Sequence, residues 1–130
     1  MVEPSPENRS LTPHEQRLVR WMLEHGKPDA ASLLPQLERA KVTPWHCPCG
    51  CATIHFAIEG YLAPAGGIRP VADFMFGDGD ELCGIFAYEQ SGVLAGVEVY
   101  GFTCDGPRSL PEPEVLRPFP ATESSQRVGP

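Results

Sequence analysis

The sequence predicts an α+β domain in which two N-terminal helices pack on a mostly antiparallel, four-stranded sheet. Apolar residues recur at helical spacing in residues 18–40, whereas beyond Val42 they alternate with a period of two. Helices that precede a run of strands are typical of this class, because the helices can then cover one face of the sheet. The chain has 130 residues, which is the length of a single domain.

The first helix is predicted to begin after Thr12. Thr12 and Glu15 have the spacing of a capping box, in which each side chain accepts a hydrogen bond from the other residue's backbone N–H. Pro13 would occupy the first helical position, where its missing N–H has no helical partner to lose. Gly26 is expected to end the helix in a left-handed conformation. The apolar side of this helix consists of Leu18, Val19, Met22 and Leu23.

A second helix is expected at about residues 29–40. Pro35 interrupts it and leaves two alternatives: Ser32 caps a shorter helix with Pro35 in its first turn, or the helix kinks. In both cases an apolar side faces the sheet. Its members are Ala30, Leu33, Leu34, Leu37 and Ala40.

The strands are predicted from alternating apolar residues bounded by turn sequences. Short turns at residues 77–80 and 89–92 join the last three strands, so these form an antiparallel meander, and the strand at 53–58 is the expected fourth member. The other predicted strands are 71–76, 82–88 and 93–102. We expect the folded body to span residues 11–119, between disordered, proline-rich ends at 1–10 and 120–130.

Composition and charge restrict the function classes. The formal net charge of −7 disfavours a nucleic-acid partner, because phosphate backbones are recognised by basic surfaces, and it would suit a basic protein partner. No apolar run approaches the roughly 20 residues that cross a bilayer. No secretory signal is visible, so the expected location is the cytoplasm, where the five cysteines would stay reduced.

The run "WHCPCGC" at residues 45–51 is the candidate metal site. In a straight strand the outer two of Cys47, Cys49 and Cys51 would lie too far apart for one ion, but Pro48 and Gly50 permit a turn that brings the thiols together around Zn²⁺. The fourth ligand would come from His46, His55, Cys83 or Cys104. The alternative is that the thiols fill a tight turn without an ion. A redox or nucleophilic cysteine is a weaker hypothesis, because the spacing is C-x-C and no oxyanion hole or substrate group is evident.

A second candidate site lies on the last strand. Alternation puts Val93, Ala95, Val97 and Val99 on one face, and Leu94, Glu98, Tyr100 and Phe102 on the other. If the helices cover the valine face, then Leu94, Tyr100 and Phe102 form an exposed, partner-binding patch around Glu98. The patch would bind another protein or form a homodimer. The alternative is that the C-terminal segment "LPEPEVLRPF" covers it.

The segments "LTPHEQRLVRWMLEHG", "LLPQLERAKV" and "CPCGC" resemble a group of short bacterial proteins of uncharacterised function. In that group a helix pair is followed by a C-x-C-G-C element, a β meander and a closing Leu-Pro segment. The matching parts here are residues 11–26, 33–42, 47–51, 82–102 and 110–116. The resemblance implies a bacterial, cytosolic protein of a group without an established activity and, by analogy, an adaptor or immunity-like role. We therefore expect a non-enzymatic protein that acts by protein–protein interaction, with a small zinc-binding protein as the alternative.

Overall fold

Six antiparallel strands form one sheet, in the order β1-β2-β3-β6-β5-β4. The computed structural model describes residues 7–61, 66–102 and 106–120. The α+β class with two helices and an antiparallel sheet is confirmed, and the sheet has two strands more than the predicted four. The strands are β1 (Arg9–Ser10), β2 (Ala40–Val42), β3 (Ile54–Ile58), β4 (Arg69–Phe76), β5 (Cys83–Gln90) and β6 (Val93–Gly101).

The two additional strands are short and carry weak sequence signals. β1 consists of two exposed residues, which pair with Val42 and Lys41 of β2. The sheet thus begins at Arg9, within the segment that was expected to be a disordered leader. Ala40 was assigned to the second helix, but it lies in β2 opposite Ile58. In a segment this short, an apolar residue such as Ala40 fits the helical spacing and the strand alternation equally well. The sequence pattern could therefore not distinguish a helix from a strand here.

Helix α1 (Pro13–His25) starts as predicted. Glu15 donates its backbone N–H to the Thr12 hydroxyl at 3.1 Å, and Thr12 donates its own to the Glu15 carboxylate at 2.9 Å. The Arg9 guanidinium donates to both oxygens of the same carboxylate, which joins β1 to the helix. Burial would raise the pKa of Glu15, but the hydrogen bonds from Arg9 and Thr12 outweigh it and lower that pKa below its ordinary value.

The second helical region is split rather than continuous. A 3₁₀ turn (Ala30–Leu33) leads into the single-turn helix α2 (Leu34–Leu37), which has Pro35 in its first turn. The shorter-helix alternative is therefore the one observed. Ser32 does not cap it, because its hydroxyl donates to the Asp29 carbonyl at 2.7 Å.

The meander of β4, β5 and β6 is confirmed, but a β-bulge in β6 changes which side chains face the helices. Tyr88 pairs with Gly96 and Glu89 pairs with Leu94, so Ala95 is an extra residue without a partner. Leu94 consequently joins Val97 and Val99 in the core and is fully buried. The expectation that Leu94 belongs to an exposed patch is wrong, because one inserted residue reverses the alternation on its N-terminal side.

The helices cover one face of the sheet and leave the other open. α1 packs against β4 and β5, and α2 packs against β6. The C-terminal segment runs alongside α1, where Glu112 and Glu114 pair with Arg17, and it then pairs with the edge of β4 through Met75 and Arg117. It therefore leaves most of the opposite face uncovered. Among the described residues, no helix is long and apolar enough to span a bilayer.

Gly26 ends α1 for a reason different from the predicted one. Its φ of −88° is accessible to any residue, so no left-handed turn is involved. A Cβ at this position would lie 2.5 Å from the carbonyl oxygen of Val71 and 2.5 Å from the Cβ of Ala72. The next residue, Lys27, donates its N–H to the same Val71 carbonyl at 2.8 Å. Glycine is required here because the helix end packs directly on the backbone of β4.

Replacing Gly26 with Ala should therefore lower the free energy of unfolding by about 1–3 kcal/mol, the usual cost of forcing extra atoms into a packed core. Urea titration followed by circular dichroism measures this change. Gly67→Ala is the matched control, because a Cβ there meets no atom within 4 Å and its effect should be small. Equal stabilities for the two variants would show that the contact with β4 is not tight.

Candidate metal centre

The backbone turns back on itself at the cysteine motif. The Gly50 N–H donates to the Cys47 carbonyl at 2.9 Å, which closes a β-turn with Pro48 and Cys49 at its centre. Proline suits the second position of such a turn, because its ring fixes φ near the required value. Gly50 has a φ of +86°, and a Cβ there would lie 2.0 Å from the Arg108 guanidinium. The motif therefore needs both Pro48 and Gly50, in the positions where the sequence places them.

This turn brings three sulfur atoms together. The Sγ atoms of Cys47, Cys49 and Cys51 all lie within 4.8 Å of one another, and those of Cys47 and Cys49 are 3.0 Å apart. A tetrahedral zinc ion with Zn–S bonds of about 2.3 Å holds its sulfurs about 3.8 Å apart. Small movements of the side chains would bring the three sulfurs to this spacing. Cys51 also donates its backbone N–H to the Cys49 sulfur at 3.4 Å, a contact that stabilises negative charge on sulfur.

The three thiols share protons unequally. Burial would raise the pKa of Cys51, but hydrogen bonds from Thr53 and from the other two thiols outweigh it and lower the pKa to about 7. Hydrogen bonds to Cys47 and Cys51 raise the pKa of Cys49 to about 11. At pH 7 the Cys51 thiol is thus about half ionised, and neighbouring S–H groups stabilise its thiolate form. A bound cation would be needed to ionise all three thiols.

Thr53 holds the end of the turn against the sheet. Its hydroxyl oxygen accepts the Val99 N–H at 3.1 Å and the Cys51 S–H at 3.2 Å, and the hydroxyl itself donates to the Val99 carbonyl at 3.5 Å. Arg108 donates to the Gly50 carbonyl at 3.2 Å from the other side. Neither residue was singled out from the sequence. Thr53 could have been found, because it lies two residues after Cys51 and side chains at this spacing point the same way in extended chain, whereas nothing in the sequence indicates Arg108.

The predicted fourth ligands are not part of the sulfur group. Among the described residues, only the three cysteines form a group with metal-ligand geometry, so the assignment of His46 to it is not supported. The turn begins directly after His46, which lines one cavity with Arg9 and Val42 and another with Gly50 and Cys51. Cys83 is buried in β5 with its S–H directed at the Glu81 carbonyl. Cys104 lies outside the described residues.

His55 is the predicted fourth ligand that shares a cavity with the sulfur cluster. It lines a cavity of about 500 Å³ together with all three cysteines. Its ring stacks on Trp45, with ring centres 3.9 Å apart and planes inclined by 6°. Burial lowers the pKa of His55, although the charge of Glu98 opposes the shift, so the imidazole is neutral at pH 7. A neutral imidazole is the form that can bind a metal.

The predicted partner-binding residues separate in the structure. Leu94 is in the core, whereas Tyr100 and Phe102 lie on the open face of the sheet, where 48% of Phe102 is exposed. Their rings belong to one aromatic row that also contains Phe86 and Tyr88, with centres 5.4–6.1 Å apart. The docked C-terminal segment reaches this row at Phe119, whose ring contacts that of Phe102.

The role of Thr53 can be tested in the reduced, metal-free protein. Thr53→Val should raise the pKa of Cys51 and slow its alkylation at pH 7 about fivefold, because a rise of one pKa unit reduces the thiolate fraction by that factor. Peptide mapping by mass spectrometry assigns the alkylated residue. Thr53→Ser keeps the hydroxyl and should react like the original protein. If the valine variant reacts as fast, the Thr53 hydroxyl does not stabilise the thiolate, and the backbone hydrogen bond of Thr53 would account for its effect.

No protein-family model matches this chain, and no curated protein or solved structure is significantly similar to it. The predicted resemblance to short bacterial proteins therefore stays a prediction. The sulfur cluster and the open face of the sheet are the two features of the described residues that point to a function.

Proposed function

We propose that the protein binds a zinc ion through the thiolates of Cys47, Cys49 and Cys51. The observation that carries the proposal is the convergence of three sulfur atoms within 4.8 Å on a single turn. Thiolates favour Zn²⁺ over harder divalent ions such as Mg²⁺ and Ca²⁺. Because the turn is closed by backbone hydrogen bonds, its sulfurs are largely positioned before an ion arrives.

Zinc would take the place of the protons that the three thiols share in the metal-free protein. Without a metal, hydrogen bonds with Cys47 and Cys51 raise the pKa of Cys49 to about 11, whereas hydrogen bonds lower that of Cys51 to about 7. A divalent cation replaces the shared protons and stabilises all three thiolates together. The fourth position of a tetrahedral ion remains for another donor. His55 is the neutral imidazole in the same cavity as the sulfurs.

The ion would have a structural role in this arrangement. The turn connects β2 to β3, and the following residue, Ala52, donates its N–H to the Pro107 carbonyl at 2.9 Å. A metal at the sulfurs would therefore fix the long β2–β3 connection against the segment that follows β6. Small connections without their own apolar core are commonly stabilised in this way.

Native mass spectrometry of the reduced protein should show one zinc ion per chain. Cys49→Ser should lose it, whereas Cys83→Ala, which removes a thiol outside the cluster, should retain it. At free zinc about 1,000-fold above the dissociation constant, the metal should add about 4 kcal/mol to the free energy of unfolding. A bare chain mass after incubation with zinc would contradict the proposal.

A second candidate function is protein binding through the open face of the sheet. The observation that favours it is the aromatic row, which ends in the half-exposed Phe102 and lies beside the exposed Trp45. Exposed aromatic residues are enriched in protein–protein interfaces. The adaptor or immunity-like role stays a prediction. A homodimer through the same face is the alternative, and sedimentation velocity across a range of concentrations distinguishes the two.

Phe102→Ser should abolish capture of the partner that this face binds, because it removes the most exposed ring of the row. Affinity capture from an extract of the source organism, quantified by mass spectrometry, compares the variant with the original protein. Val115→Ser is a matched control, since Val115 is similarly exposed at 51% but lies in the C-terminal segment beside α1. Identical sets of captured proteins for all three would exclude the open face.

A further inference from the structure

A groove crosses the open face of the sheet, with Glu98 near its middle. Two cavities of about 430 and 500 Å³ lie on this face, and both are lined by Glu98 and His55. Tyr88 belongs to the wall of the first, and Trp45 and Tyr100 belong to the wall of the second. The bulge at Ala95 helps to form this groove, because it turns a small side chain toward the open face where a larger one would fill the space.

Glu98 is surrounded by aromatic rings. Burial and, to a smaller extent, the negative charge of Glu98 together raise the pKa of Tyr88 to about 12. The pKa of Tyr100 is also raised, by burial first and then by Asp73 and Glu98. Each ring packs over a glycine of the adjacent strand, Tyr88 over Gly96 and Tyr100 over Gly84, which fixes its position. The carboxylate thus stands between two aromatic side chains that are held in place by the sheet.

No cation of the described chain neutralises this carboxylate. Within residues 7–61, 66–102 and 106–120, the ion pairs use the carboxylates of other acidic residues, and none of them involves Glu98. Glu89, on the neighbouring strand, shows the contrast, because Arg69 donates to it at 2.6 Å. Glu98 is half-buried, so water satisfies it only in part.

We propose that this groove binds the side chain of an arginine from a protein partner, with the guanidinium paired to Glu98 and stacked against the rings of Tyr88, Tyr100 or Trp45. A guanidinium is planar, stacks on aromatic faces and donates two parallel hydrogen bonds to a carboxylate. The net charge of −7 favours approach of a basic partner. The inference rests on the second candidate function and adds the chemistry of the partner to it. It does not depend on zinc.

The probe is a blocked pentapeptide, Ala-Ala-Arg-Ala-Ala, compared with the same peptide carrying citrulline, which is the uncharged isostere of arginine. Binding is followed by two-dimensional NMR of the reduced, zinc-treated protein and by Trp45 fluorescence. We expect the arginine peptide to shift the resonances of Glu98, Tyr88 and Tyr100, and the citrulline peptide to bind at least tenfold more weakly.

Glu98→Gln should weaken binding of the arginine peptide at least tenfold while leaving the circular dichroism spectrum and zinc content unchanged. Asp73→Asn is the matched control. Asp73 and Glu98 flank Phe86 in register on the same face, and the two variants lose the same charge, but Asp73 lines neither cavity. The control should alter the affinity less than twofold.

The proposal would be overturned by no binding of the arginine peptide, by equal binding of the citrulline peptide, or by equal losses in the two variants. Equally tight binding of free arginine amide would also overturn it, because the groove would then be a small-molecule site. If Phe102→Ser abolishes partner capture but the arginine peptide does not bind, protein binding stands and only this inference fails.

Discussion

The hydrogen bond between the Val99 N–H and the Thr53 hydroxyl connects the two candidate sites of this protein. It extends the pairing of β3 with β6 by one residue beyond Ile54 and Val97, so the cysteine turn ends against the sheet. The same hydroxyl oxygen accepts the Cys51 S–H, and the hydrogen bonds between Cys51 and Thr53 contribute to the lowered pKa of that thiol. The Gly50–Cys47 hydrogen bond sets the turn itself, and the attachment of Thr53 to Val99 places that turn beside the groove.

The two sites also influence each other through charge. Glu98 lines the same cavity as the three cysteines, so the thiolates and this carboxylate face one cavity. Zinc bound by three thiolates carries a net charge of about −1, which adds to that of Glu98 rather than cancelling it. A loaded metal site would therefore leave the groove attractive to cations, and metal binding and recognition of a basic partner are compatible on the same face.

The sequence was sufficient to predict those features that depend only on neighbouring residues in the chain. The start of α1 followed from Thr12, Pro13 and Glu15, and the turn at the cysteines followed from Pro48 and Gly50. The sequence could not reveal features that depend on distant partners. Ala95 has nothing to mark it as a bulge, because the extra residue is defined only by the register of β5 against β6. Leu94 was misassigned for that reason alone.

The distribution of arginines explains why the open face remains acidic. The chain has 10 lysine and arginine residues against 17 acidic ones. Arg9, Arg17 and Arg20 pair with acidic residues on the helical side of the sheet. Such exposed pairs contribute little to stability, but they position β1 and the C-terminal segment against α1. With these cations committed elsewhere, Glu98 lies among aromatic rings without a partner from the described chain, and the complementary charge has to come from another molecule.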